Sequence, residues 1–387
     1  MPIIRSILDN DLYKFSMQKA VLAYRQRVPV AYVFVNRRPE GKFNSSFAKA
    51  LTDELDAIRW LTLDKCQMGW LSENLPWLGD DYLEYLNNFR FDPADLQWKV
   101  EEGELHLTIE GSWERTILWE VPLMALISEL FFRHCETDWV FDEAAQRSRL
   151  SEKRKTLQAC QFSDFGTRRR RSFESQDLVV SELHQCPGFL GTSNVHLAHK
   201  YATNAIGTMA HEWIMGISEM EGLRHANRHA LQIWQKVYQG RLGTALTDTF
   251  GTPAFFSDFD SSLARVFDGV RHDSGDPIAF ADNVIDAYEK LGINPTSKRI
   301  IFSDGLNARQ AAEIQSTLAG RINVSFGIGT SLTNDFPGSP ALNMVIKLSR
   351  CNGSPVVKLS DVPTKAIGDR DALRVARWTF FGTGLDE

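Results

Sequence analysis

Apolar and polar positions change rhythm twice along this chain. From about Asp11 to Tyr24 they recur at helical spacing, and Ala31-Tyr-Val-Phe-Val35 then reads as a strand. A helix is predicted near Phe43 to Ile58, followed by a tryptophan-rich run through Trp60, Trp70 and Trp77. Gln97–Val100, Glu104–Ile109 and Trp113–Leu118 alternate in character with turn residues between them, which predicts a small antiparallel sheet. Val121 to Arg133 is apolar enough for a buried helix bridging to a second body. From about Ser163 a different order sets in. Ala245-Leu-Thr, Gly269-Val-Arg, Arg299-Ile-Ile-Phe-Ser and Ile322-Asn-Val-Ser-Phe read as short strands, with helices over 258–267, 278–291 and 308–318 between and after them. Strand–helix alternation of this kind builds a parallel sheet with helices outside it.

A chain of 387 residues exceeds what one hydrophobic core usually supports. The expectation is therefore an N-terminal α+β domain over 1–135, joined by the C-terminal segment 346–387, and an α/β barrel over 136–345. No linker separates the two, so they should pack tightly. Hydrophobic residues at 43% and charged residues at 24% are ordinary for a soluble enzyme. No run approaches the roughly 20 apolar residues that span a bilayer, so no membrane partner is expected. Acids at Asp9 and Asp11 interrupt any signal-peptide core, which points to the cytoplasm. The five cysteines are scattered without paired spacing and read as reduced thiols. A net charge of −6 argues against nucleic acid as a partner. Between Asp142 and Arg171, however, nine Lys/Arg face four acids, a local excess that can draw in a polyanionic substrate.

The candidate chemistry lies just after the strands, where a parallel barrel assembles its active site. Leu246-Thr-Asp248-Thr-Phe-Gly-Thr252, Val270-Arg271-His-Asp273-Ser-Gly-Asp276, Phe302-Ser-Asp304-Gly305 and Phe326-Gly327-Ile-Gly329-Thr330-Ser331 are all loops of this kind. The last has the glycines and following helix of a phosphate site, although Gly-x-Gly alone also serves as a plain tight turn. His211 in Gly207-Thr-Met-Ala-His211-Glu-Trp would ordinarily read as structural. Among so many anion-binding loops it reads instead as a nucleophile for a phosphoryl group. Arg168 and Arg271 suit carboxylate or phosphate, because a guanidinium donates two parallel bonds. Asp273 and Asp304, at consecutive strand ends, suit ribose hydroxyls or Mg2+. Capping of a turn is the plainer alternative for both.

With these segments in order, the chain resembles the nicotinate phosphoribosyltransferase family. The resemblance rests on Asp9-Asn-Asp-Leu-Tyr13-Lys-Phe-Ser-Met-Gln18, Phe165-Gly-Thr-Arg168-Arg-Arg-Arg-Ser172, Gly191-Thr-Ser193-Asn194, Gly207-Thr208-Met-Ala-His211-Glu and the strand-end loops. It implies an irregular (βα) barrel of the type II phosphoribosyltransferase kind. It also implies transfer of phosphoribose from 5-phosphoribosyl-1-pyrophosphate to nicotinate in NAD salvage. ATP would be hydrolysed as co-substrate through a phosphohistidine at His211, with Mg2+ at Asp273 or Asp304. Phe165 would stack on the pyridine ring, as would Tyr13 from the partner in a homodimer with a shared site. Thr208, Gly305 and the Gly327–Ser331 loop would join Arg168 and Asp304 around the substrates, and Arg271 and Asp273 would act with His211.

Ser193 favours nicotinate over nicotinamide, since the nicotinamide-specific relatives resemble this chain but carry an aspartate there, which would repel a carboxylate. The arginine run exceeds the pair the family needs, so Arg170 and Arg171 read as surface charge. Glu212 should point away from the His211 face, and His272 to the far side of its strand as a structural residue. Two other readings compete. One is a metal-dependent barrel hydrolase using His196, His199, His211 and His272 with Asp273 and Asp304. The other is a silent nucleotide-binding regulator, against which the set His211, Arg271, Asp273 and Asp304 speaks.

Overall fold

The computed structural model describes residues 2–38 and 40–382. Its strands are, in chain order, β1 (Pro29–Asn36), β2 (Leu96–Glu101), β3 (Glu104–Ser112), β4 (Phe162–Asp164), β5 (Phe189–Thr192), β6 (Thr244–Leu246), β7 (Gly269–His272), β8 (Arg299–Phe302), β9 (Asn323–Ile328), β10 (Met344–Cys351) and β11 (Ser354–Pro355). They form two sheets. One is antiparallel with order β11-β10-β1-β3-β2, and the other is parallel with order β5-β4-β9-β8-β7-β6.

Alternation makes the antiparallel sheet. Val30, Tyr32 and Phe34 of β1 face inward with Leu105, Leu107 and Ile109 of β3, while their neighbours are partly or fully exposed. The expected strand over Trp113–Leu118 is instead a helical turn, Trp113–Thr116, running into a 3-10 turn, Ile117–Trp119. Thr116, Ile117, Leu118 and Trp119 are buried in succession, which a one-sided strand cannot do. The Glu114 and Leu118 carbonyls accept from the Gln18 and Asn10 side chains rather than from a ladder. The chain then enters the helix Glu120–His134, buried from Glu120 through Phe132. That helix packs on the helix Ser45–Ile58, on β10 and on the turn Thr167–Arg169, so it bridges the two sheets as its apolar run predicted. The tryptophan-rich run contains a helix that was not anticipated, Lys65–Asn74, started by an Asp64/Gln67 capping box.

In the parallel sheet, β6 to β9 fall where the apolar runs predicted them, and the helices Pro277–Lys290 and Ala308–Leu318 follow. The helix predicted over 258–267 is shorter, Ser261–Val266, because Asp260 caps its start, and a further helix, Thr252–Asp258, precedes it. β4 and β5 were not legible, being short and almost wholly buried. Among the described residues no ladder joins β5 to β6, and a single bridging segment closes the barrel there. Ile206 donates to the Thr192 carbonyl at 2.8 Å, and the Thr208 hydroxyl to that of Thr244 at 3.1 Å.

The C-terminal segment serves both bodies. From Met344 it pairs with β1 as β10, and beyond β11 it crosses onto the barrel face as a strap. There Lys358 and Ile367 exchange backbone bonds of 2.8 Å, Leu359 donates to the Thr249 carbonyl, and Asp361 accepts from the Thr252 amide at 2.6 Å. The final helix, Arg370–Phe381, stacks Phe380 on Phe250. Residues 383–387 of the segment lie outside the described residues. No described helix is long and apolar enough to cross a membrane.

Candidate active site

A cavity of about 710 Å³ opens at the C-terminal ends of β4, β7, β8 and β9, roofed by Val345–Leu348 of β10 and by the strap. Phe165 follows β4, Asp273 follows β7, Asp304 and Gly305 follow β8, and Gly329, Thr330 and Ser331 follow β9. All of these line it, with His211, Arg271, Arg168 and Gly327.

His211 opens the helix His211–Glu221 and carries the densest set of contacts. Its Nδ1 lies 3.0 Å from Thr249 Oγ1, and its Nε2 lies 3.1 Å from Asp273, 3.6 Å from Asp248 and 2.8 Å from Lys358 Nζ. Ammonium and carboxylate compete for that one nitrogen. Lys358 donates to it only when the proton is on Nδ1, whereas Asp273 accepts from it only when the proton is on Nε2. Burial, then repulsion from Lys358, pushes the imidazole below its usual range against the pull of Asp248 and Asp273, so the ring is held neutral. Burial alone would raise Asp273. Arg271 at 2.9 Å and His211 overcome it and hold that carboxyl well below its usual range. Ser303 donates to Asp273 at 2.8 Å and receives Arg271 Nε at 2.8 Å, which fixes both.

Four of these partners were not singled out from sequence. Asp248 and Thr249 share the strand-end placement that marked Asp273, so that signal was present. Ser303 has the same placement. Lys358 had none, since nothing local tells that the strap returns to the barrel.

On the opposite wall Phe165 lies across Gly327, where an added Cβ would come within 2.3 Å of its ring. This glycine therefore makes room for an aromatic platform, and Gly329 lets the Phe165 carbonyl approach. Arg168 keeps about two-fifths of its side chain open, 41%, while bonding Glu120 at 3.2 Å. Its guanidinium lies 5.8 Å from the Tyr13 ring of the same chain; Tyr13 is buried, and among the described residues its hydroxyl has no partner. Glu120 also meets the buried Lys14, which bridges to Glu212. Glu212 accepts from Tyr32 and Trp113 as well, and so points away from the His211 ring as its sequence position requires. At the β10 end stand Arg37, Arg169 and Lys347, which form no ion pair among the described residues. Burial and repulsion from Arg37 and Lys358 lower Lys347 to about 8.

Arg170 and Arg171 are corrected from surface charge to fully buried groups. Arg170 holds Asp9 with two bonds, and Arg171 is tied to Asn334 and Ser339 beneath Phe132, Trp139 and Phe336. Ser193 is not brought to the cavity wall. It is buried, and its hydroxyl donates to Asp11 at 2.7 Å. Thr208 is spent on barrel closure, its hydroxyl on Thr244. Asp304 reaches the cavity but is paired with Lys365 at 2.6 Å. Ser331 follows Gly329 in a one-turn helix, Thr330–Thr333, with its hydroxyl unpartnered among the described residues. His272 packs between Phe280 and Phe302, a structural role. His196 packs at a tilt against Phe173 and His199 against Trp70, so the histidines of the hydrolase reading do not converge.

Among the described residues, the group with metal-ligand spacing is His211, Asp248 and Asp273. It does not fit a resident Mg2+, which takes oxygen ligands and water, because Lys358 already stands between His211 and Asp248. Asp304 is likewise engaged by Lys365.

Residues 8–128 match the model of the nicotinate phosphoribosyltransferase (NAPRTase) N-terminal domain, and residues 160–383 that of the nicotinate phosphoribosyltransferase (NAPRTase) family. The chain is 50% identical to a nicotinate phosphoribosyltransferase of Methanosarcina acetivorans over 100% of both chains. It is 44% identical to one of Chromohalobacter salexigens, over 97% of this chain and 98% of that one. The crystal structure of nicotinate phosphoribosyltransferase from Porphyromonas gingivalis is similar with a TM-score of 0.94 and 39% identity, over 98% of this chain and 100% of that one.

Proposed function

The chain belongs to the nicotinate phosphoribosyltransferase family, and from that membership we propose that it joins nicotinate to the phosphoribosyl group of 5-phosphoribosyl-1-pyrophosphate in NAD salvage. Nicotinate mononucleotide and pyrophosphate are the products, and ATP is hydrolysed through a transient phosphohistidine at His211. One observation carries the ATP half of this reading. His211 is a neutral imidazole on a cavity wall, bracketed by two carboxylates on one nitrogen and a hydroxyl on the other. A ring held this way offers a lone pair to phosphorus, and the carboxylates offset the positive charge that the phosphorylated ring acquires.

Loss of pyrophosphate develops positive charge on the ribose and negative charge on the leaving group. Arg37, Arg169 and Lys347 at the β10 end are available to the leaving phosphates, and Asp304, whose Oδ1 holds Lys365, offers its other oxygen to the ribose hydroxyls. The Gly329–Ser331 turn, with the free Ser331 hydroxyl, serves the 5′-phosphate. The pyridine ring lies on Phe165, and Arg168, open on one side, takes its carboxylate. Preference for nicotinate over nicotinamide then rests on Arg168 more than on Ser193, whose hydroxyl Asp11 holds. Arg271 positions Asp273 against His211. We also infer a homodimer with a shared site. Because Tyr13 is already buried beside Arg168 of its own chain, the partner's contribution is to be sought elsewhere on the rim.

Labelling tests the reading. γ-Labelled ATP should leave an acid-labile, base-stable phosphoryl group on His211. Pyrophosphate release should then follow nicotinate rather than nicotinamide and rise with ATP. Release unaffected by ATP, with no label on the protein, would refute the coupled mechanism.

A further inference from the structure

We propose that Lys358 is the built-in cation of the phosphoryl-acceptor centre, occupying the place among His211, Asp248 and Asp273 where a divalent ion would sit, so that Mg2+ enters this cavity only with the phosphates of a substrate.

The donor atoms of the three side chains lie within 4.8 Å of one another, close enough to grip a metal. The Lys358 ammonium is 2.8 Å from His211 Nε2 and 3.0 Å from Asp248. Its position is not that of a loose surface lysine. The side chain is only 6% exposed, and its backbone is locked to Ile367 in both directions. The next residue, Leu359, donates to Thr249 on the loop that carries Asp248. The charges also close. Asp248 and Asp273 contribute two negatives, and Lys358 and Arg271 two positives, around a neutral imidazole. A further divalent ion would leave this recessed group with a net charge of about +2, at a cost that grows steeply away from water. The same strap sends Lys365 to Asp304. Each strand-end acid that could be assigned to a metal is thus engaged by a protein cation.

Its role in phosphoryl transfer rests on the ATP-coupled reading above. The bond between the γ-phosphorus and its bridging oxygen breaks, and ADP leaves with that electron pair. The imidazole lone pair forms the N–P bond, and the proton on the other ring nitrogen stays in its hydrogen bond. Lys358 keeps all its protons. It is a positioning residue whose charge favours the neutral ring beforehand and faces the incoming phosphoryl oxygens afterwards.

Two measurements test this. In manganese titration followed by electron paramagnetic resonance, with no nucleotide or phosphate present, the wild-type protein should bind no Mn2+ at this centre. Lys358→Met should gain a site that His211→Asn in the same chain removes. Wild-type binding that Asp273→Asn abolishes overturns the proposal without reference to any lysine variant. In the second measurement, the initial rate of His211 labelling from ATP should fall about 100-fold in Lys358→Met and recover in part in Lys358→Arg, with near-ultraviolet dichroism unchanged. Equal labelling of wild type and Lys358→Met overturns the role of Lys358 and leaves the ATP-coupled reading standing. Absence of label on wild-type His211 overturns that reading instead, and the manganese titration alone then decides the proposal.

Discussion

Two buried ionic clusters in this chain contain the same kinds of groups and serve different ends. Arg170 and Asp9 meet through two parallel bonds of 2.7 and 2.8 Å, Asn194 donates to Asp9 at 2.7 Å, and neither charged side chain is exposed. Asp248 and Lys358 are buried as well, but His211 and Asp273 are 19% and 22% exposed; two partners share one ring nitrogen, and among the described residues one oxygen of Asp248 has no hydrogen bond. The first cluster pairs both terminal nitrogens of Arg170 with Asp9, leaves Arg170 Nε without a partner among the described residues, and does not line the cavity. The second is over-committed at one atom, under-committed at another, and borders the cavity. Paired charge and an unpartnered polar atom are common to both, so neither marks a site; a place on the cavity wall does, which His211, Asp273 and Lys358 have and Arg170 and Asp9 do not.

The largest expected effect tests the second cluster. His211→Asn should remain folded with some basal transfer, while protein-bound label and ATP-dependent stimulation fall to background, because only the imidazole nitrogen forms the phosphoramidate. Full stimulation by ATP in this variant removes His211 from the mechanism. Arg170→Ala tests the first cluster and should cost about 3–5 kcal/mol of stability, the usual consequence of leaving a buried charge unpaired. Chemical denaturation measures it; a loss below about 1 kcal/mol would return Arg170 to the surface role its place in an arginine run suggested. Arg271→Ala should show the opposite balance, with kcat/KM lowered by more than about 2 kcal/mol, roughly thirtyfold, and a smaller change in stability. If the two arginine variants damage stability and turnover in the same proportion, the distinction between the clusters fails.

Why was one cluster legible and the other misread? Apolar runs followed by polar residues located β7 and β8, and with them Asp273 and Asp304, since strand ends are a local property of sequence. Strand β6 gave the same cue for Asp248. Arg170 depended on Asp9, 161 positions away, and its neighbours in sequence looked like a basic surface. Lys358 is 147 positions from His211 and arrives on a strap with no periodic pattern. The Trp113–Leu118 turn shows a second limit. Alternation predicts a strand only while one side stays wet, and four consecutive buried residues, Thr116–Trp119, remove that condition.

Ser193 stands between the clusters, and a smaller effect decides its side. Ser193→Ala deletes the donor to Asp11, whose carboxyl burial already pushes up against the pull of Arg168. The expected loss is about 1 kcal/mol of stability, with the ratio of nicotinate to nicotinamide efficiency altered by less than about threefold. A tenfold shift in that ratio would place the Ser193 hydroxyl on the substrate ring after all and give Asp11 a different donor in the working enzyme.

The smallest effect concerns protons. In the folded chain His211 is pushed below its usual range by burial and Lys358, so it binds a proton less readily than in the unfolded chain. Between its lowered folded value and about 6.5 the unfolded state then holds more protons, so stability attributable to this ring declines as the medium is acidified below about 6.5 and is flat above it. At pH 6 an unperturbed imidazole would be about three-quarters protonated, and a phosphorylation rate limited by the neutral ring would fall about fourfold. The native ring, pushed below that value, should lose less than this. Ring-nitrogen NMR avoids the titration of ATP itself, and its midpoint for His211 should lie below 6.5 and rise in Lys358→Met. A midpoint at or above 6.5 in the native chain would mean that the two carboxylates govern the ring and Lys358 does not, and a larger share of the rings would then have to release a proton before accepting phosphorus.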